Sequence, residues 1–269
     1  MSTYAQIKVW STSGAIINEL FGHSGLWLRA ALVPWLLGVV AAIALEQVYW
    51  RKIGAEPPPT WLFWVVLAPI PAMIIVPILK YMLLELPIRA RELDLTRQMW
   101  LTSIVLLGIA AIFAAVDRIQ DQLLEYQVTI FEFDDFYLAG TAVLVAGWVV
   151  KAIVMAGSYG LFGVIVEYGR IDVRAVLELN RGNLFRFFGL ALLLGAAFKG
   201  FEELYGWSVQ ILGLWPEGNA YAPILSEATT YSILAFLIWL PVDLLANILP
   251  AVSIGVVYKA LREYRLAQP

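Results

Sequence analysis

The chain has 269 residues, 61% of them apolar and only 14% charged, with a formal net charge of −3, one histidine and no cysteine. Soluble domains carry about 45–50% apolar and about 25% charged residues, so this chain lacks the polar surface to coat a water-facing body and is expected to use lipid as its solvent. The lack of cysteine excludes disulfides, thiolate nucleophiles and iron–sulfur clusters, the single His23 excludes a multi-histidine metal or haem site in one chain, and the net charge gives no reason to expect nucleic-acid binding.

The elements follow in chain order. Residues 7–21 are a mixed stretch in which Ile7, Trp10, Ile17 and Leu20 recur at helical spacing, which predicts a helix lying in the headgroup layer. Gly22, His23, Ser24 and Gly25 then predict a turn into a first span over 26–45. That apolar run starts too late and runs too long for a signal-peptide core, so it is expected to insert uncleaved. Three consecutive prolines, Pro57 to Pro59, predict a stiff polyproline turn before a second span over 61–84.

A second mixed stretch, 87–98, leads into a third span over 99–116. An acidic loop with Asp117, Asp121, Glu125, Glu132, Asp134 and Asp135 follows, extended in part over 127–133. The fourth span covers 137–166, a third mixed stretch 169–183, the fifth span 184–201, a loop 207–227 folded back on the membrane surface, and the sixth span 229–258. Each span is near or above the roughly 20 residues that cross about 30 Å of hydrocarbon. Aromatic residues at predicted span ends, Trp27, Trp50, Trp61, Trp100, Tyr137 and Tyr258, are expected to anchor at the interface. The fold class is therefore all-α: a single membrane domain over 1–269, a polytopic bundle of six transmembrane helices with interfacial amphipathic helices.

Orientation follows from lysine and arginine. Flanks on one side hold Lys8, Arg89, Arg91, Arg97, Arg170, Arg174, Arg181, Lys259, Arg262 and Arg265; the other side holds Arg51, Lys52 and Arg118. The bias predicts both termini in the cytoplasm, and a bacterial inner membrane as host. Because each mixed stretch precedes an odd-numbered span, the chain divides into three units of an amphipathic helix and a transmembrane hairpin, or else into ordinary connectors between spans.

Lys151 and Asp243 are the sharpest candidates for chemistry. Both lie within spans that cross in the same direction, so they are expected at similar depth, where an unpaired charge costs roughly 2.5–3.5 kcal/mol or more. Pro241 and Pro250 free backbone carbonyls around Asp243, and Asn247 lies one turn along its face. The group is open to three uses: a salt bridge fixing span four on span six, an ion or proton relay, or a contact with a partner subunit. Arg29, Arg186, Lys80 and Arg181 are candidates for lipid headgroups, with Glu85 and Glu167 nearby. Ala152, Ala156 and Gly160, four residues apart, predict close helix packing. The run Ala156-Gly157-Ser158-Tyr159-Gly160 matches a serine-hydrolase elbow in letters only, since it lies inside a predicted helix far from His23. No metal site, cofactor motif or nucleotide fingerprint is present.

Glu178-Leu179-Asn180-Arg181-Gly182-Asn183-Leu184-Phe185-Arg186 and Val257-Tyr258-Lys259-Ala260-Leu261-Arg262 resemble stretches of bacterial six-span proteins related to the membrane domain of glycerophosphodiester phosphodiesterases. The resemblance covers about a tenth of the chain. It implies a membrane architecture and a lipid context, and it transfers no catalytic residue. The expected function is a non-enzymatic membrane component, such as an accessory subunit, an assembly factor or a lipid-organising scaffold. Its expected partners are membrane lipids and other membrane subunits, with no nucleic acid. A small transporter or channel using Lys151 and Asp243 is the alternative, and a membrane-embedded lipid enzyme a third class.

Overall fold

The computed structural model describes residues 7–53, 60–88, 95–128, 133–212 and 229–266. The described residues form nine helices and no strand: α1 Val9–Gly22, α2 Ser24–Ile53, α3 Thr60–Leu67, α4 Pro69–Leu84, α5 Arg97–Val128, α6 Phe133–Tyr168, α7 Val173–Asn180, α8 Leu184–Ile211 and α9 Thr229–Leu266. They make six spans long and apolar enough to cross a membrane, five of them single helices and one, Val65–Leu84, made by the end of α3 with α4. The chain is a multi-pass membrane protein. An even number of crossings, with α1 packed against α9, puts the first and last helices at one end, here the terminal end.

The second span is broken rather than continuous. Pro69 and Pro71 follow Ala68, and proline offers no N–H to the preceding turn, so α3 stops at Leu67 and α4 restarts on a proline-led first turn. Other spans run well past their apolar cores, α2 among them, through Arg51 and Lys52 to Ile53. α5 continues through Asp117 and Asp121 to Val128, so the stretch expected to begin the acidic loop is helical; residues 129–132 lie outside the described residues. α8 continues through Lys199, Glu202 and Glu203 to Ile211, carrying Trp207, which was expected in a surface loop. α9 continues past Tyr258 to Leu266. An α-helix satisfies its own backbone in water as in lipid, and charged residues extend it when they pair. Lys199 does so, lying 3.0 Å from both Glu202 and Glu203, three and four residues on.

The six spans form two layers. Within the apolar windows, 56% of residues are buried in α6, 50% in α9 and 33% in α4, against 22% in α2 and 17% in both α5 and α8. The inner three, α4, α6 and α9, all touch one another, and each outer helix seats between two of them: α2 on α4 and α9, α5 on α4 and α6, α8 on α6 and α9. The buried core follows from this, with Ile74, Ile78, Leu79, Phe162, Val252 and Ile254 almost fully enclosed. Apolar side chains remain exposed on α8, at Phe185, Leu204 and Ile211.

Short helices precede two outer spans. α1 buries Ser13 and Ile16 and exposes Trp10, Ile17 and Phe21, while α7 buries Val176 and Asn180 and exposes Val173 and Leu177. Asp172 caps α7 by accepting from the Ala175 N–H at 3.0 Å. α7 lies against α6, and α1 lies against α8 and α9. The corresponding stretch before α5, residues 89–94, lies outside the described residues.

Candidate functional site at the terminal end

Lys151 and Asp243 share a depth but not a contact. Glu167 on α6 meets Tyr258 on α9 at the terminal end, and Lys151 and Asp243 lie about 24 Å and about 22 Å farther along their helices at 1.5 Å per residue. Lys151 instead pairs with Asp117 of α5 and lies 5.7 Å from the Phe113 ring centroid. Helical side chains lean toward the helix N-terminus, which for α6 is the distal end, so the lysine stem points at Asp117 near that boundary. The carboxylate of Asp243 turns to α2 and accepts from the Trp35 indole. Asn247 donates its amide to the Asp243 carbonyl at 2.7 Å, inside its own helix. The expected pair across spans four and six is therefore split into a link to α5 and a link to α2. A sequence cannot show this, because helix order around the bundle decides which face meets which.

The headgroup candidates separate in the same way. Arg29 is exposed on the first turns of α2 beside exposed Leu28 and Leu32, and Arg181 is exposed at the C-cap of α7. Arg186 is half-buried in the first turn of α8. The half-buried Lys80 donates to Thr96 Oγ1 at 3.2 Å, tying α4 to the foot of α5. Two aromatic residues expected as interfacial anchors are core residues. Trp27 is buried and donates its indole N–H to the Glu19 carbonyl at 3.0 Å, and Tyr258 is buried against α6. Trp100 remains exposed, while the side chains of Trp50, Trp61 and Tyr137 lie outside the described residues.

Ala152, Ala156 and Gly160 are buried on α6, Gly160 against Asn180 of α7. Beyond them, glycines pair with specific knobs from neighbouring helices. Gly163 receives the Tyr258 ring, Gly255 the Met82 thioether, and Gly147 the Gln120 amide. Gln120 donates to the Val143 carbonyl at 3.0 Å and the Leu144 carbonyl at 3.3 Å, pinning α5 to α6. Asn180 donates to the Gly157 carbonyl at 3.2 Å. The Ile7 N–H donates to Asn183 Oδ1 at 3.0 Å, closing the start of the chain onto the α7–α8 corner.

At the terminal end the inner helices are tied by one cluster. The largely buried Glu167 accepts from the Tyr258 hydroxyl and lies 3.2 Å from Arg262 Nε. Arg262 also donates Nη1–H to the Leu83 carbonyl at 3.1 Å, satisfying one of the orphan carbonyls where α4 ends. Glu167 and Arg262 joined the sequence reading only as flanking charges. Their signal, an acid and an arginine just past two spans, is common to any membrane protein.

Beside this cluster a cavity of about 630 Å³ opens between α1, α4 and α9. Glu19, His23, Tyr81, Glu85, Lys259 and Glu263 line it, with Met82 at its wall. Glu19 Oε1 lies 3.0 Å from His23 Nδ1, and His23, Trp27 and Tyr81 stack edge to face behind them. Glu85 caps α4 in the left-handed region at φ 55°, the single non-glycine residue with positive φ among the described residues.

No family model matches the chain, and no curated protein and no solved structure matches it either. The resemblance to the phosphodiesterase-related membrane proteins thus rests on its two short stretches. Both fall at the terminal end, the first spanning the α7–α8 corner with Asn180 and Asn183, the second holding Tyr258, Lys259 and Arg262.

Proposed function

We propose that the protein is a non-enzymatic membrane scaffold: an accessory or assembly component that organises lipid or a partner subunit around a rigid three-helix core. The observation that carries this reading is the split between layers. The inner helices are pinned by specific side-chain contacts, while α5 and α8 leave 83% of their apolar windows unburied. Such faces suit lipid and neighbouring transmembrane helices. The outward residues of α1 and α7, Trp10, Phe21, Val173 and Leu177, suit insertion into the headgroup layer at the same end. The charge bias of the flanks supports cytoplasmic termini in a bacterial inner membrane. The transport alternative rested on a Lys151–Asp243 pair, and these residues turn to different helices.

Native mass spectrometry of the protein extracted from its own membrane in a mild detergent tests the reading. A stoichiometric partner subunit or a fixed set of retained lipids is expected. A bare monomer that conducts solute flux in reconstituted vesicles would overturn it. Because the chain has no cysteine, single cysteines at Pro58 and Ala267 with a membrane-impermeant maleimide test topology cleanly. Labelling of intact spheroplasts at Pro58 but not at Ala267 is expected.

A further inference from the structure

We infer that the cavity between α1, α4 and α9 is a binding site for the ammonium of an ethanolamine-headed phospholipid. The chemistry comes from its lining. Three carboxylates, Glu19, Glu85 and Glu263, face one cavity with one ammonium, Lys259. Among the described residues the lining is net negative. The exposed side chains of Glu85, Glu263 and Lys259 make no hydrogen bond or ion pair to another described residue, although they line the same space.

The sign of this lining is the independent observation. The same end of the bundle carries Lys8, Arg29, Arg97, Arg170, Arg174 and Arg181, as the positive-inside bias requires. That bias gives no reason for an acidic hollow at the one place where α1 roofs the ends of α4 and α9. The carboxylates are also dispersed: among the described residues no group of histidine and acidic side chains is close enough to hold a metal ion. A dispersed acidic lining fits a larger organic cation, and an aromatic residue, Tyr81, lines the same space. Lys259 on the same wall supplies a partner for a phosphate. A zwitterion with an ammonium and a phosphate a few ångströms apart satisfies both signs at once.

Position selects the lipid as the source. The apolar span that α4 completes ends at Leu84, Glu85 follows it directly, and α1 exposes Trp10, Ile17 and Phe21. A headgroup in the adjoining leaflet enters the cavity without leaving the interface, and its volume of about 630 Å³ suffices for one. The inference deepens the lipid-contact half of the scaffold reading and rests on it. The two fail differently, since solute flux refutes the scaffold and loss of headgroup preference refutes the pocket.

The experiment uses the full chain in detergent, offered an equimolar mixture of phosphatidylethanolamine, phosphatidylglycerol and phosphatidylcholine, with retained lipid read by native mass spectrometry. Phosphatidylethanolamine is expected to be retained about tenfold over phosphatidylglycerol, the size of one charge-assisted hydrogen bond. The isosteric pair Glu85→Gln with Glu263→Gln should abolish that preference, and Lys259→Met should reduce it, while Lys199→Gln on α8, remote from the cavity, leaves it intact. Unchanged melting temperatures report that each variant folds. Equal retention of the three lipids by the parent chain, or a preference that survives the double Gln variant, would overturn the inference. Stabilisation by free ethanolamine without any lipid preference would overturn the lipid source and leave a soluble amine as ligand.

Discussion

Replacing Gly163 by alanine tests the contact on which the inner layer depends. A Cβ at this position would lie within 2.5 Å of Cδ2, Cγ and Cε2 of Tyr258, whereas real Cβ contacts stay above 3.0 Å. These are atoms at the base of a rigid ring, so the ring cannot bend away and α9 itself must withdraw from α6. Overpacking of this kind costs about 1–3 kcal/mol. Withdrawal also pulls the Tyr258 hydroxyl from Glu167, and interhelical hydrogen bonds in membranes contribute about 0.6–1.7 kcal/mol. A total of about 2–4 kcal/mol corresponds to a melting point lowered by roughly 5–12 °C for a chain of this size. Intrinsic fluorescence during heating in detergent, at fixed scan rate, reads the shift. Two variants calibrate it. Gly157→Ala lies on the same helix with nothing within 4 Å of its new Cβ, so it should melt at or above the parent temperature, because alanine is the better helix former by about 1 kcal/mol. Gly255→Ala meets the flexible end of Met82, which can swing aside, and should fall between the two. If Gly163→Ala melts with Gly157→Ala, the ring does not pack over Gly163 and the assignment of Tyr258 to the core is wrong.

Further expectations follow from the remaining pins. Asp117→Asn should destabilise more than Lys151→Met by about 1 kcal/mol, because it strands the deeper, 26%-exposed lysine and not the 54%-exposed aspartate; the double variant should recover most of the loss in a mutant cycle. Trp35→Phe removes the indole donor to Asp243 and should lower stability by about 1–3 kcal/mol, with Asp243→Leu in the same chain restoring it, as followed by thermal melting. Gly147→Ala should expel the Gln120 amide and loosen α5 from α6, seen as faster hydrogen exchange in the distal halves of both helices with α9 unaffected.

Hydropathy made the spans legible because each must fill about 30 Å of hydrocarbon with apolar residues. It located their apolar cores and misjudged their ends. Asp117, Glu202 and Glu203 mark where the unbroken apolar run stops, and a helix does not stop for that reason. The depth of Lys151 and Asp243 was equally legible, since depth follows from counting along helices of known direction. Their partners were not, because rotation about each axis is set by packing that leaves little trace in composition. Trp27 and Tyr258 show the same limit. An aromatic residue at a span end looks alike whether its ring faces headgroups or a glycine on the next helix, and here the choice was made by Gly163 and by the Glu19 carbonyl.

The order of helices explains why the chain forms one body and not three separable hairpins. Each hairpin sends its first helix to the outside and its second to the inside, as burial in α5 against α6 and in α8 against α9 shows. A hairpin alone would bury one seam and leave its inner helix half bare. Seating each outer helix between two inner ones makes every hairpin depend on a neighbour. The short helices extend the dependence at the terminal end: α7 precedes α8 and lies under α6, the inner helix of the preceding hairpin. α1 lies under α9, the inner helix of the α8–α9 hairpin, with the Ile7 N–H bonded to Asn183. α1, which leads into the first hairpin, thereby ties it to the third. The acidic cavity sits at that closure, roofed by α1 and walled by α4 and α9, so a ligand held there would bear on the contact that joins the two ends of the chain.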